Sequence, residues 1–141
     1  MGRKKKYYPY KNFVLKSKSE LEVAKQCDKD NLNWSYETVV VPWVPPPIKE
    51  KLYRPDFIIE KKDGTILLVE YKEYLDIISK RILRHVTKQH PELDIRVLFG
   101  KNCSKKKIRK GSKTTYGQWC DKFKIPWKET KDKSIPKGWL L

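Results

Sequence analysis

The sequence predicts an α/β fold in which a mixed β-sheet is flanked by helices. At 141 residues the chain is long enough for one domain with a modest core and too short for two. Segments with the two-residue period of strands alternate with segments of helical period, in the order α-β-β-β-α-β-α. The aromatic content of 12% indicates a folded chain, although the mean hydropathy is −0.77.

The first helix is predicted over residues 17–29. Ser17 and Ser19 each stand three residues before a glutamate, Glu20 and Glu22, and both pairs have the spacing of a capping box. Residues 34–41 are β-branched and aromatic, which predicts that a strand follows this helix.

Four prolines between residues 42 and 47 follow the predicted strand. Proline has a fixed φ and no backbone N–H, so this segment cannot continue a helix or a central strand. We expect a stiff, extended, proline-rich bridge over about residues 42–52, since polyproline II rises ~3.1 Å per residue. The alternative is an exposed surface loop.

The Lys-Asp-Gly sequence at residues 62–64 predicts a β-hairpin loop. A two-residue turn would place Asp56 opposite Tyr71, whereas a three-residue loop places Asp56 directly opposite Glu70. Gly64 falls where the three-residue loop needs a left-handed residue, which favours the second register. The two strands are predicted over residues 54–60 and 65–72.

The remaining sequence predicts a helix, a strand and a second, short helix. The helix over residues 76–89 ends before Pro91, and residues 93–99 alternate apolar and charged side chains as a strand does. Thr115 opens the short helix with a capping-box pattern. The apolar C-terminal residues from Trp139 onward can dock on the core.

The charge is strongly positive, because 33 Lys and Arg against 17 Asp and Glu give a net +16, and this predicts a polyanionic partner. Two blocks of sequence, residues 1–19 and residues 101–113, each hold seven basic residues and no acid. The second block is called the basic loop. We expect residues 1–16 to be a flexible tail, residues 17–141 to form the domain, and the basic loop to contact phosphates. A merely solubilising surface explains the N-terminal block equally well. The predicted nucleic-acid-binding residues are Lys16, Lys18, Lys105, Lys106, Lys107, Arg109 and Lys110.

No apolar run approaches the roughly 20 residues that span a bilayer, and no apolar stretch follows the basic N-terminus. We therefore expect no membrane partner and no secretory signal. Cys27, Cys103 and Cys120 lack the spacing of a zinc site, so reduced thiols are expected.

Polar residues at the ends of the predicted hairpin strands form the strongest candidate site. Asp56 starts one strand, and Glu70 and Lys72 end the next, on one face because they are two residues apart. Carboxylate and carbonyl oxygens are the ligands that Mg²⁺ prefers, and a lysine can orient or deprotonate an attacking water or stabilise charge on phosphate. The alternative is an ordinary cross-strand salt bridge. Carboxylates at the ends of such apolar strands are costly unless they are paired or bind metal.

Pro55-Asp56 followed by Glu70-Tyr71-Lys72 resembles the PD-(D/E)XK nuclease motif. The chain also resembles, over about residues 17–127, the phage endonuclease I family of Holliday-junction resolvases. The more specific blocks that carry this similarity are Gln-His-Pro-Glu-Leu-Asp-Ile-Arg-Val-Leu-Phe at residues 89–99, Lys-Gly-Ser at 110–112 and Tyr-Gly-Gln-Trp-Cys at 116–120.

The resemblance implies a PD-(D/E)XK nuclease-like mixed sheet in an intertwined, domain-swapped homodimer that cuts branched double-stranded DNA with Mg²⁺ or Mn²⁺. It also implies that Asp56, Glu70 and the backbone carbonyl of Tyr71 bind the metal, and that Lys72 is the catalytic lysine. The hairpin between Asp56 and Glu70 is longer than the family pattern.

Glu20 matches the additional acidic residue of the family, which implies that it is catalytic and helps to bind the metal. Glu22 is the alternative because the local sequence departs from the pattern. Helix capping alone is the other explanation for Glu20. In the family the segment that corresponds to the proline-rich bridge links two lobes, so each site would combine Glu20 from one chain with Asp56, Glu70 and Lys72 from the other. A stiff bridge favours such exchange.

We therefore predict a Mg²⁺-dependent, structure-selective endodeoxyribonuclease that resolves four-way junctions in the cytoplasm of an infected bacterial host, as the family implies. Junction preference would come from DNA shape and phosphate contacts. The alternatives are a non-catalytic basic nucleic-acid-binding module and a sequence-specific PD-(D/E)XK nuclease. His85 and His90 are candidate general bases, but packing or capping explains their positions better.

Overall fold

The computed structural model describes residues 3–45 and 50–141. The strands of this part of the chain are β1 (Tyr8–Tyr10), β2 (Phe13–Leu15), β3 (Trp34–Tyr36), β4 (Val41–Trp43), β5 (Lys51–Tyr53), β6 (Phe57–Glu60), β7 (Ile66–Lys72), β8 (Asp94–Gly100) and β9 (Trp127–Thr130). Its helices are α1 (Lys18–Lys29), α2 (Ile77–Gln89) and α3 (Tyr116–Lys122), with short 3₁₀ turns at Cys103–Lys105 and Lys137–Trp139. None of these helices is long and apolar enough to cross a membrane.

Five strands form the central sheet in the order β3-β6-β7-β8-β9. Strands β3, β6 and β7 are antiparallel, whereas β7, β8 and β9 are parallel. A hairpin joins β6 to β7, and the parallel pairs need longer connections that include α2 and α3. The predicted mixed sheet with flanking helices is therefore confirmed.

Both faces of the sheet are covered, because successive residues of β6 and β7 are apolar and point to opposite sides. Phe57 and Val69 belong to a buried cluster with α1, whereas Ile58 and Leu68 belong to a cluster with α2 and α3. Trp139 is buried in the cluster with α1, which confirms that the C-terminal residues dock on the core at this position.

The predicted helix starts are confirmed by their caps. Ser17 Oγ accepts the backbone N–H three residues later at 3.0 Å, and Asp76 caps α2 in the same way at 2.7 Å. Thr115 and Gln118 form the reciprocal capping box at the start of α3. These bonds satisfy backbone donors that the first turn of a helix otherwise leaves free.

The N-terminal segment differs from the flexible tail predicted over residues 1–16. Strands β1 and β2 form an antiparallel hairpin, and Leu15 is fully buried. The Tyr10 hydroxyl donates to Asp28 of α1 at 2.5 Å, and Lys11 forms an ion pair with the same carboxylate at 2.8 Å. The hairpin therefore packs on α1 as part of the folded domain.

The region around the proline-rich bridge also differs from the sequence prediction. The strand expected over residues 34–41 ends at Tyr36, because Glu37 adopts a left-handed φ of 54°. Strand β4 then pairs antiparallel with β5, so the two described sides of the bridge lie next to each other. Residues 46–49 of the bridge lie outside the described residues. Its role as a link between two lobes of a domain-swapped homodimer stays a prediction.

Candidate active site

The hairpin between β6 and β7 sets the geometry of the site. The Lys61 N–H donates to the Thr65 carbonyl at 2.8 Å, and Gly64 has the left-handed φ of 84° that the three-residue loop requires. Phe57 pairs with Val69, so the register continues to place residue 56 opposite residue 70. The predicted three-residue register is therefore confirmed, and the two carboxylates share one end of the hairpin.

Asp56 and Glu70 are buried and held by specific donors. Asp56 is 9% exposed, and its Oδ2 accepts the backbone N–H of Tyr71 at 3.0 Å. Glu70 is 6% exposed, and its Oε2 accepts the hydroxyl hydrogen of Tyr53. These contacts fix the orientation of both carboxylates before any ligand binds.

Lys72 lies on the same side of β7 as Glu70. Its Nζ is 3.5 Å from Glu70 Oε1 and donates to Ser79 Oγ in the first turn of α2 at 3.0 Å. The contacts with Glu70 and Ser79 therefore hold the Lys72 ammonium group beside the carboxylate of Glu70.

The surroundings of the two carboxylates disfavour their charged forms, mainly because both groups are buried. Burial raises the pKa of Asp56 well above its ordinary value, and the charges of Glu70 and Glu20 add to this effect. Burial also raises the pKa of Glu70, although Lys72 and Tyr53 oppose that shift. A divalent cation bound beside them would favour the charged forms.

The donor set fits a hard divalent cation. Asp56 and Glu70 supply carboxylate oxygens, Tyr71 can supply its backbone carbonyl, and Mg²⁺ accepts such a small set because it keeps several waters. Within residues 3–45 and 50–141, no group of three or more His, Cys, Asp or Glu side chains is close enough together to hold a metal. Asp56 and Glu70 are the two carboxylates that could hold a metal at this site, and Glu20 does not lie close enough in the single chain to complete a group of three.

Glu20 faces the same region from α1. Its Oε1 accepts the Tyr36 hydroxyl hydrogen at 2.6 Å and the Lys16 N–H at 3.3 Å, and its charge contributes to the raised pKa of Asp56. Glu22 is exposed, and its charge acts on Lys133. Of the two acids, Glu20 is therefore the one whose charge acts on Asp56, and its side chain accepts the N–H of Lys16, one residue before the N-cap Ser17.

The basic loop lies next to the end of β7. Lys106 Nζ donates to the Glu73 carbonyl at 2.9 Å and stands 3.9 Å from the centre of the Tyr74 ring. Lys16 is exposed and pairs with Glu37 at 2.7 Å; this hydrogen bond raises the pKa of Lys16, and the charges of Glu20 and Asp56 add to the shift. The other predicted nucleic-acid-binding residues are exposed: Lys18, Lys105, Lys107, Arg109 and Lys110.

Three hydroxyl groups at the site have no signal in the local sequence. Tyr53, Tyr36 and Ser79 contact Glu70, Glu20 and Lys72 respectively, across 17, 16 and 7 residues. They meet their partners because the β4–β5 pair, the β3–β6 pair and the start of α2 bring distant segments together.

The two histidines lie in structural positions. The His85 ring stacks on Trp43 with 5.9 Å between ring centres, and His90 caps the C-terminus of α2, where its backbone N–H donates to the Val86 carbonyl. The expectation that packing and capping explain both residues is confirmed.

Comparison with known proteins agrees with the motif similarity. The phage endonuclease I family model matches residues 3–141. Endodeoxyribonuclease 1 of Enterobacteria phage T3 is 36% identical over 123 residues, which cover 87% of this chain and 74% of that protein. Endonuclease I of Escherichia phage T7 is 34% identical over 127 residues, which cover 90% of this chain and 78% of that protein. The chain belongs to the phage endonuclease I family.

Proposed function

We propose that this protein is a structure-selective endodeoxyribonuclease that resolves four-way and other branched DNA junctions with Mg²⁺ or Mn²⁺. The observation that carries the proposal is the buried pair of Asp56 and Glu70 with Lys72 beside it, in a chain whose relatives are named endonucleases. Those relatives come from phages, which supports action on DNA in the cytoplasm of an infected bacterium.

The chain's own residues prepare the site for phosphodiester hydrolysis. Asp56, Glu70 and the Tyr71 carbonyl would hold the metal, and the Tyr71 N–H and Tyr53 hydroxyl keep the two carboxylates in place. A bound divalent cation acts as a Lewis acid on phosphate and lowers the pKa of water. Lys72, which Glu70 and Ser79 hold in place, donates a hydrogen bond to the attacking water or to the phosphate oxygen on which charge develops.

DNA affinity would come mainly from charge. The exposed basic loop lies beside the end of β7, and Lys16 and Lys18 lie at the start of α1. Contacts from these residues to phosphates are independent of base sequence, so preference for a junction would follow from the spacing of its backbones.

The shared site rests on the position of the bridge. In the single chain, α1 and β3 pack on the sheet through the β3–β6 pair, and the bridge connects β3 to β6. Exchange of the segment before the bridge would form the same contacts between two chains. Each site would then take Glu20 from one chain and Asp56, Glu70 and Lys72 from its partner.

Cleavage assays on two substrates, with Mg²⁺ or with EDTA, test the function and separate it from its rivals. The protein should cut a synthetic four-way junction in Mg²⁺, leave a linear duplex of the same sequence uncut, and lose activity in EDTA. Cleavage of the duplex at a fixed sequence would support a sequence-specific nuclease instead. Binding without cleavage in Mg²⁺ or Mn²⁺ would support a non-catalytic module.

A mixing experiment tests the shared site. Glu20→Ala and Asp56→Ala homodimers should each be inactive, because every site lacks one acid. Coexpressed heterodimers should regain one intact site, since both changes then fall in the other site. A heterodimer without nicking activity, formed from two folded variants, would rule out the shared arrangement.

A further inference from the structure

A side-chain hydrogen bond joins the two parts of the candidate active site. Ser19 Oγ donates to Glu73 Oε1 at 2.6 Å, although the two residues are 54 positions apart in the sequence. Ser19 precedes Glu20 in α1, and Glu73 follows Lys72 at the end of β7. The bond therefore connects the helix that carries Glu20 to the strand that carries Glu70 and Lys72.

Glu73 is itself held by several neighbours. The Tyr71 hydroxyl donates to the same Oε1 at 3.1 Å, and Lys133 Nζ donates to that hydroxyl at 3.0 Å. The backbone carbonyl of Glu73 accepts a hydrogen bond from Lys106 of the basic loop at 2.9 Å. Helix α1 and strand β7 thus contact the Glu73 carboxylate, the basic loop contacts its backbone carbonyl, and Lys133 reaches the carboxylate through Tyr71.

The end of β8 leaves space for this network. A Cβ atom added at Gly100 would lie 2.8 Å from the Tyr71 hydroxyl oxygen and 3.3 Å from Glu73 Cγ. Any larger residue at position 100 would displace one of them, because cores of this density have no spare volume. The absence of a side chain at Gly100 therefore leaves the room that Tyr71 and Glu73 occupy.

We propose that Glu73 is a positioning residue that holds α1, and with it Glu20, in register with Glu70 and Lys72. Glu73 does not touch the reacting groups. It acts through Ser19 on one side and through Tyr71, whose backbone contacts Asp56, on the other. This inference rests on the proposed nuclease function, and in the exchanged homodimer the bond from Ser19 to Glu73 would run between chains.

A second carboxylate contact in the same fold provides a matched control. Asn33 Nδ2 donates to Glu60 Oε2 at 2.7 Å, and this bond also joins the region of α1 and β3 to the hairpin of β6 and β7. Glu60 lies at the opposite end of β6 from Asp56. Loss of this bond weakens the docking of the same two parts of the chain without touching the active-site end.

The test compares Glu73→Ala, Glu73→Gln, Ser19→Ala, the Ser19→Ala/Glu73→Ala double variant and Glu60→Ala. The single-turnover rate of four-way junction cleavage is measured in Mg²⁺, junction affinity in EDTA, and thermal stability on the same samples. We expect Glu73→Ala to lower the rate about 10- to 100-fold with unchanged affinity, since small displacements of catalytic groups have effects of this size. Glu73→Gln keeps an oxygen acceptor for Ser19 and should stay within about threefold of wild type.

The remaining variants distinguish positioning from general stability. Ser19→Ala should lower the rate in the same direction as Glu73→Ala, and the double variant should cut no more slowly than Glu73→Ala alone, because both changes remove one interaction. Glu60→Ala should lower thermal stability while its cleavage rate stays at the wild-type value. In metal-free protein, amide hydrogen exchange in the first turn of α1 should rise in Glu73→Ala more than in Glu60→Ala.

Several results would overturn the inference. These are a wild-type cleavage rate in Glu73→Ala, an equal loss of rate in Glu60→Ala, or a loss that appears only in junction affinity. If Glu73→Ala does not fold, Ser19→Ala carries the test, and a wild-type rate in that variant refutes the inference. If wild type cuts and the Glu73 variants cut equally well, only this inference fails, whereas an inactive wild-type protein refutes the proposed function as well.

Discussion

Replacement of Asp56 by asparagine should stabilise the metal-free protein while it abolishes cleavage. Asn keeps the size of the side chain and an oxygen that accepts the Tyr71 N–H, but it removes one buried negative charge. Glu70 would then remain paired with Lys72 at 3.5 Å, and the excess charge of the site would be gone.

The size of the effect follows from the burial of the pair. Asp56 and Glu70 are 9% and 6% exposed, and Lys72 Nζ lies 3.5 Å from Glu70 Oε1. Burial of an ion costs several kcal/mol, and hydrogen bonds and Lys72 recover part of this cost, so removal of the Asp56 charge should raise the free energy of unfolding by on the order of 1 kcal/mol or more. For a domain of this size, each kcal/mol raises the melting temperature by about 2–4 °C.

The assay is thermal unfolding of wild type and Asp56→Asn in EDTA across a range of pH. The pKa of Asp56 is raised in the folded state, so the stability penalty of its charge is absent below the ordinary carboxyl pKa and grows as the pH rises through that value. The difference in melting temperature between variant and wild type should therefore shrink from about pH 8 to about pH 5. Mg²⁺ should stabilise wild type more than the variant.

A lower melting temperature of Asp56→Asn at neutral pH would refute this reasoning, because it would mean that the charge stabilises the fold. A difference between the two proteins that does not change with pH would also refute it. Asp63→Asn is a suitable control, because Asp63 is an exposed acid of the hairpin loop and its pKa is lowered by hydrogen bonds from Thr65.

The other predictions concern the neighbours of this pair. Tyr53→Phe removes a hydrogen bond to the buried Glu70 carboxylate, and urea unfolding should show a loss of about 1.5–3 kcal/mol together with slower cleavage. Lys72→Met should abolish cleavage and destabilise the protein by about 3 kcal/mol at neutral pH, because it leaves the buried Glu70 carboxylate without its ammonium partner. The loss of stability should diminish at acidic pH, where the carboxylates take up protons, and a loss that does not change with pH would contradict this explanation. The logarithm of junction affinity should fall with the logarithm of salt concentration, and charge removal in the basic loop should reduce this slope by about 0.9 for each phosphate that is no longer neutralised. Lys128→Ala on β9 is the control and should leave the slope unchanged. The loop variants are Lys105→Ala, Lys107→Ala and Lys110→Ala.

The parts of the fold that depend on local chemistry could be predicted from the sequence. Gly64 determines the hairpin loop and thereby the pairing of residue 56 with residue 70, and Ser17, Asp76 and Thr115 determine where the helices begin. These residues act within a few positions of themselves, so their effect is visible in a short stretch of sequence.

The parts that depend on distant contacts could not be predicted. Strand β9 has the mixed sequence Trp-Lys-Glu-Thr and forms because it pairs in parallel with β8. The β1–β2 hairpin is held by contacts with α1, such as that of Tyr10 with Asp28. Tyr53 reaches Glu70, and Ser19 reaches Glu73, only through the folded chain.

The most direct test of the central claim is cleavage of a four-way junction by wild type and by Asp56→Asn, with junction binding measured on the same samples. Asp56 lies at the buried carboxylate pair and not on the basic surface that would contact the DNA backbone. We predict that both proteins bind the junction with similar affinity and that wild type alone cuts it, in Mg²⁺ and not in EDTA. Cleavage by Asp56→Asn at the wild-type rate, or cleavage by wild type in EDTA, would contradict the account.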